Sequence, residues 1–175
     1  MYHEEIIIAG FGGQGILFSG RLLAYCALLR GYEVSWIPSY GPEMRGGTCN
    51  CHVIISNEPV NSPVISKPSA IICMNLPSLL KYQNLVKPGG LVLFDNSANI
   101  DVKIRNDVKF MNICATEIAK KENLEANIIM LSKLIREISL CDFDTFSLAI
   151  NNFVSYNRIE ALNKNLKAAQ IGYNY

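Results

Sequence analysis

Ile6-Ile7-Ile8-Ala9-Gly10-Phe11-Gly12-Gly13-Gln14-Gly15 decides the fold. Three β-branched residues in a row predict a short buried strand. Gly10, Gly12 and Gly15 fit G-x-G-x-x-G, with Gly13 as an extra glycine. From Ile16 to Arg30 the apolar spacing is helical. Strand, glycine turn and helix therefore follow one another, the context that a dinucleotide or phosphate loop requires. Glycine reaches dihedrals closed to other residues and lets a ligand or another chain come close. The helix behind the turn points free N–H groups at whatever occupies it. A tight strand-to-helix turn without a ligand needs the same glycines, so the motif alone leaves both readings open.

At helical spacing, Ile16, Gly20, Leu23, Ala24 and Ala27 share one face of that first helix, and Phe18, Leu22, Tyr25 and Leu29 share the other. A helix apolar on both sides is buried on both sides. One side packs on its own sheet. The other calls for a second layer, which a neighbouring subunit could supply. Gly31 closes the helix as a C-terminal cap.

Tyr32 to Ile37 reads as the second strand. Pro38 to Gly47, with two prolines and three glycines, reads as a loop. Loop and glycine turn both follow the C-terminal end of a strand, where open α/β sheets bind ligands, so both should face one crevice. Further strands are expected at Cys51–Ser56, Ser69–Met74, Leu91–Asp95 and Lys109–Asn112, with the nearly all-apolar Leu91–Asp95 inside the sheet. Leu76–Val86 reads as a short helix opened by Asn75 and Pro77, and Lys87–Gly90 as a turn. Helices are expected at Ala115–Glu122, Ala126–Ser139, Thr145–Phe153 and Arg158–Gln170, with Asp144 as the N-cap of the third. Strands alternating with helices make an α/β, Rossmann-like domain: a largely parallel sheet, helices on both faces and a helical C-terminal third.

The 175 residues suit one domain. Half the residues are hydrophobic and mean hydropathy is +0.18, which points to a partner protein or a large core. No run approaches the roughly 18 apolar residues of a membrane span. The acidic start Met1-Tyr2-His3-Glu4-Glu5 does not read as a signal peptide. With six scattered cysteines read as reduced thiols, this places the protein in the cytoplasm. A net charge of +1 without a basic run gives no electrostatic footprint for nucleic acid.

Specific chemistries can be tested residue by residue. A nicotinamide site wants a carboxylate about 20 positions past the glycines, at the end of the second strand. Pro38 and Ser39 stand there; Glu33 sits at the wrong end and Glu43 lies beyond, in the loop. No Lys-Ser or Lys-Thr follows the glycines, so a Walker loop fails too. Strand alternation puts Cys49 and Cys51 on one face and His52 on the other, which reads as packing thiols rather than metal ligands. Asp95, ending a strand, reads as an anchor for a turn. No G-x-S-x-G elbow occurs, and no catalytic set is visible. What remains is the glycine turn plus Tyr40, Gly41, Pro42, Glu43, Arg45, Gly46 and Gly47. Arg45 offers a planar fork for phosphate or carboxylate, or pairs with Glu43 or a partner. Gly46 and Gly47 let another backbone approach. Gln14 either touches a ligand or holds the loop through its backbone.

Gly10-Phe11-Gly12-Gly13-Gln14-Gly15 resembles the G-x-G-G-Q-G of the gamma subunit of 2-oxoacid:ferredoxin (acceptor) oxidoreductases. Tyr40-Gly41-Pro42-Glu43-Met44-Arg45-Gly46-Gly47 is similar to that family's second signature, about 25 residues further on, and Val53–Ser56 follows it as the family's strand does. Ala126–Leu131 and Asn165–Ala169 also resemble family positions. The resemblance covers almost the whole chain and implies a single gamma-type domain over residues 1–175. It implies a Rossmann-like subunit that packs against alpha and beta subunits and a ferredoxin-like delta subunit. Those complexes use thiamine diphosphate, Mg2+, coenzyme A and iron–sulfur clusters, carried by other subunits. They convert a 2-oxoacid to acyl-CoA and pass electrons to ferredoxin or another acceptor. This chain is then expected to be inactive alone, to bind no cofactor by itself and to lack fused partners. By the same resemblance, Gly10, Gly12, Gly13, Gln14, Gly15 and the Tyr40–Gly47 loop help form the coenzyme A region. The Arg45-Gly46-Gly47-Thr48 run looks most like the 2-oxoglutarate branch, with pyruvate and branched-chain 2-oxoacids as alternatives. A nucleotide-binding module or an NAD-dependent Rossmann enzyme is the alternative function.

Overall fold

The computed structural model describes residues 2–40, 47–154 and 159–175, and of Tyr40 only the backbone. One six-stranded sheet organises them. β1 (His3–Phe11) pairs on one side with β3 (Thr48–Ser56), which pairs with the edge strand β2 (Glu33–Tyr40). On its other side follow β4 (Ala70–Cys73), β5 (Leu91–Asp95) and β6 (Lys109–Ile113). β1, β4, β5 and β6 are mutually parallel, whereas β3 runs antiparallel to both β1 and β2. β2 thus points the same way as β1, and five of the six strands share one direction. The expected parallel sheet holds in that sense, with β3 as its reversed member.

The isoleucine run explains why β1 lies inside. Ile6 and Ile8 point to one face and Ile7 and Ala9 to the other, each at most 1% exposed. A strand apolar on both sides gains by burial on both, at roughly 1.5–3 kcal/mol for each isoleucine. On the first face lie α1 (Ile16–Leu29), α3 (Ala115–Glu122), α4 (Ala126–Glu137), α5 (Phe143–Phe153) and α6 (Ile159–Asn174). The second face is covered more thinly, by α2 (Leu76–Tyr82), its 3-10 extension Gln83–Leu85, and Ile65 and Val86 from loops. Among the described residues no helix is long and apolar enough to cross a membrane.

Three sequence expectations change. β2 continues through Pro38 and Ser39 to Tyr40, where a loop was expected. An edge strand tolerates proline because one side of its ladder needs no donor. The second layer over α1 comes from this chain rather than from a neighbour: Phe153 of α5 meets Phe18 edge-on at 5.3 Å and Tyr25 at 5.9 Å. The cap of α5 is Asp142, not Asp144; its carboxylate accepts from the Thr145 N–H at 2.8 Å, and the helix starts two residues early.

α4 carries a buried cation. Lys133 is 5% exposed and its Nζ lies 2.8 Å from Glu137, which also pairs with Lys109 of β6. Hydrogen bonds from Lys109 and then Lys133 hold the Glu137 carboxyl below the usual carboxylate range. That stabilisation is present above the ordinary glutamate pKa, about 4.3. It is lost as pH falls through the lower folded value. Glu137→Gln strands the Lys133 charge and should cost about 1–2 kcal/mol at pH 7, less than for a fully buried pair. Urea unfolding of both proteins at neutral and acid pH checks this: the gap between them should close in acid.

Candidate functional site

The glycine turn sits at the C-terminal end of β1, level with the end of β2. Phe11 is the last residue of β1, and its carbonyl accepts from the Gln14 N–H at 3.2 Å. Gly12 N–H donates to Gly47 O at 3.0 Å, so the turn and the end of the second loop do meet. Gly13 (φ +98°) and Gly15 (φ +73°) take left-handed conformations, which side chains resist. Among the described residues nothing lies within 4 Å of where a Gly13 side chain would begin. At Gly10 a Cβ would meet Gln14 Oε1 at 2.6 Å and Ile16 Cδ1 at 2.7 Å. That glycine makes room for the turn's own Gln14.

Gln14 braces the turn. Its Oε1 accepts from Phe11 N–H at 2.7 Å and from Asn75 Nδ2 at 3.1 Å, and its Nε2 donates to Met74 O at 3.2 Å. Asn75 in turn caps α2 by accepting from Ser78 N–H at 2.9 Å. One side chain thus fastens the turn after β1 to the turn after β4. Gln14→Ala leaves the Phe11 N–H without that partner and should cost about 1–3 kcal/mol. Chemical denaturation would show it as a lower midpoint with an unchanged slope.

A second brace was missed by sequence reasoning. Asn127, 7% exposed at the start of α4, donates through Nδ2 to Gly15 O at 3.2 Å and to Ser19 Oγ at 2.9 Å. Its signal was a lone amide ahead of the apolar run Ile128–Leu131. Gly15 caps α1 without a side-chain bond, and no acidic residue stands in the first turn of α1. No carboxylate of α1 itself offsets the positive end of the helix dipole, which faces the turn and favours an anion.

Two clefts flank the turn and share Gly13, Gly15 and Phe18. One, about 670 Å³, lies between the turn and the starts of α4 and α6, with Lys164, Glu160 and Glu125 at its rim. Lys164 is paired to Glu160 at 2.9 Å, so attraction for anions comes from backbone N–H groups rather than from that ammonium. The other, about 560 Å³, reaches Gly47, Thr48 and Cys49. Of the sequence candidates, Gly10, Gly12, Gly13, Gln14, Gly15 and Gly47 come together here. Tyr40 ends β2 on the same sheet edge. Gly41, Pro42, Glu43, Arg45 and Gly46 lie outside the described residues.

The other candidates fall into structural places. Cys49 and Cys51 point to the α1 side and His52 does not; burial pushes the Cys51 thiol up to about 12, which leaves it protonated and inert. Asp95 accepts from Ser97 Oγ at 2.6 Å and from Thr116 N–H at 3.1 Å, and so fastens the start of α3. Among the described residues no three His, Cys, Asp or Glu side chains converge as metal ligands.

A six-stranded α/β sheet whose glycine turn opens the first helix defines the Rossmann-like class of fold. The chain belongs to the pyruvate ferredoxin/flavodoxin oxidoreductase family, which matches it over residues 5–175. It is 37% identical to the 2-oxoglutarate synthase subunit KorC of Methanocaldococcus jannaschii, over 97% of this chain and 92% of that protein. It is 38% identical to the ketoisovalerate oxidoreductase subunit VorA of Methanothermobacter marburgensis, over 96% of this chain, but spans only 35% of that longer protein. The crystal structure of the gamma subunit of a keto/oxoacid ferredoxin oxidoreductase from Geobacter sulfurreducens superposes with a TM-score of 0.83 at 27% identity, covering 99% of this chain and 96% of that one. A 2-oxoglutarate:ferredoxin oxidoreductase from Magnetococcus marinus, solved with 2-oxoglutarate, coenzyme A and succinyl-CoA bound, has the same fold. Its TM-score is 0.88 at 23% identity, and the match covers 99% of this chain and 31% of that one.

Proposed function

We propose that the chain is the gamma-type subunit of a thiamine-diphosphate-dependent 2-oxoacid oxidoreductase. The complex oxidatively decarboxylates a 2-oxoacid to its acyl-CoA and passes electrons to ferredoxin or another acceptor. The observation that carries this reading is the end-to-end match to KorC, with the glycine turn in place at the strand edge. The same relative favours 2-oxoglutarate; VorA supports a branched-chain 2-oxoacid as the alternative. Catalysis then resides on alpha and beta subunits, with a ferredoxin-like delta subunit for electron transfer. Apolar side chains left in solvent, Leu28 at 57%, Leu80 at 58% and Ile159 at 69% exposure, suit contacts with such partners.

In this reading the chain binds and orients. Gly13 leaves room for a pyrophosphate of coenzyme A, and the N–H groups opening α1 face its charge. Gln14 and Asn127 hold that geometry. Coenzyme A supplies the thiol that accepts the acyl group. Arg45→Ala in the assembled complex should raise the KM for coenzyme A or lower the yield of complex. The test of function is turnover with a panel of 2-oxoacids, for the isolated chain and for the complex. The complex should turn over and the isolated chain should not; full activity of the single chain would refute the proposal.

A second reading, a module that holds a nucleotide without catalysis, is favoured by the two clefts beside the turn. Calorimetry of the isolated chain with NAD, FAD and coenzyme A separates it. Tight binding of NAD would favour this second reading and overturn the argument from the missing carboxylate, since β2 carries no acidic residue after Glu33.

A further inference from the structure

Cys26, in the penultimate turn of α1, and Cys141, just ahead of the Asp142 cap of α5, lie 115 positions apart in sequence. Their sulfurs are 3.2 Å apart, inside the core, at 0% and 8% exposure. Among the described residues no other two thiols come within hydrogen-bonding distance. The junction is otherwise well fastened: Tyr2 Oη donates to Ile138 O at 3.4 Å and Tyr173 Oη donates to Cys141 O at 3.1 Å. The two thiols are unequal. A hydrogen bond joins the two sulfurs, and that bond, ahead of burial, raises Cys26. The same bond lowers Cys141 against the opposing effects of burial and of the Asp142 charge, with a smaller lowering from the Arg30 guanidinium. Cys141 is thus the thiol held lower of the two, and it is also the one with a little solvent access.

We propose that Cys26 and Cys141 are a redox modification site: a hydroperoxide oxidises the pair to a disulfide that locks α1 onto the α4–α5 junction. The Cys141 thiolate attacks the peroxide; its sulfur gains an oxygen as sulfenic acid, the O–O bond breaks and hydroxide leaves. Cys26 sulfur then attacks the Cys141 sulfur, the S–O bond breaks, and the departing hydroxyl takes the Cys26 proton to leave as water. The two electrons lost by the thiols are those that reduce the peroxide. The step does not involve the glycine turn.

The test uses the full chain. The reduced protein is treated with one equivalent of hydrogen peroxide, unfolded, alkylated and digested. The expected product joins the Cys26 and Cys141 peptides, at their summed mass less two hydrogen atoms, and is reversed by dithiothreitol. Because the bond closes a long loop, the melting midpoint should rise by roughly 10 °C. Cys141→Ser should remove both changes, and the peptide map of the unaltered protein stands even if that variant folds poorly. Full alkylation of Cys26 and Cys141 while half-exposed Cys114 is oxidised would overturn the proposal. So would a cross-link that leaves the midpoint unmoved.

Discussion

Gly20→Val is expected to destabilise the chain by about 3 kcal/mol, at the upper end of the usual overpacking range. Gly20 sits mid-helix in α1, facing β2 and β3. A Cβ there would overlap Cys51 Sγ and stand 2.8 Å from Trp36 Nε1. Neither neighbour can swing away: Cys51 is fully buried in β3, and Trp36 packs against the same core. α1 must lift from the sheet, and its first turn forms the rim of both clefts. A melting midpoint lower by roughly 6–12 °C is the readout. An unchanged midpoint would mean that α1 does not lie this close to β3.

Gly15→Ala is the second large effect. The residue must hold φ +73°, which costs a side-chain-bearing residue about 1–2 kcal/mol. Its Cβ would also overlap the Asn127 amide and displace the bonds to Gly15 O and Ser19 Oγ, adding about 1 kcal/mol. Gly13→Ala is the control. It shares the positive φ but meets nothing within 4 Å among the described residues, so it should cost only the conformational part. Denaturant midpoints of the two variants should therefore differ, with Gly15→Ala the lower. Equal midpoints would remove Asn127 from the account.

The core of the fold was legible because its signals are local. The isoleucine run, the glycines, the cap at Gly31 and the helix Ala115–Glu122 all depend on neighbours in sequence, and they lie where the pattern put them. What was not legible depends on partners distant in sequence. Hydropathy carries no strand direction, so the reversal of β3 was missed. The connection between β2 and β3, residues 41–47, is too brief for a parallel crossover, but the expected strand ends at Ile37 and Cys51 left room for one. Proline in β2 is acceptable only on a sheet edge, and the edge is a property of the assembled sheet. Of the second apolar face expected on α1, Phe18 and Tyr25 are covered by Phe153 while Leu29 stays 40% exposed, and nothing local says that Phe153 would do the covering.

The site divides in the same way. The glycines announce a turn, and sequence spacing brought the second loop to the same edge, where Gly47 meets Gly12. The two roles considered for Gln14 could not be separated until Phe11, Met74 and Asn75 were seen around its amide. Asn127 escaped notice because its partners, Gly15 and Ser19, lie more than a hundred positions away.

Native mass spectrometry of the tagged chain, purified from its own cells, tests the central claim most directly. Co-purification of alpha- and beta-type chains carrying thiamine diphosphate is the result predicted here. A lone monomer or homodimer holding a nucleotide would contradict the subunit assignment.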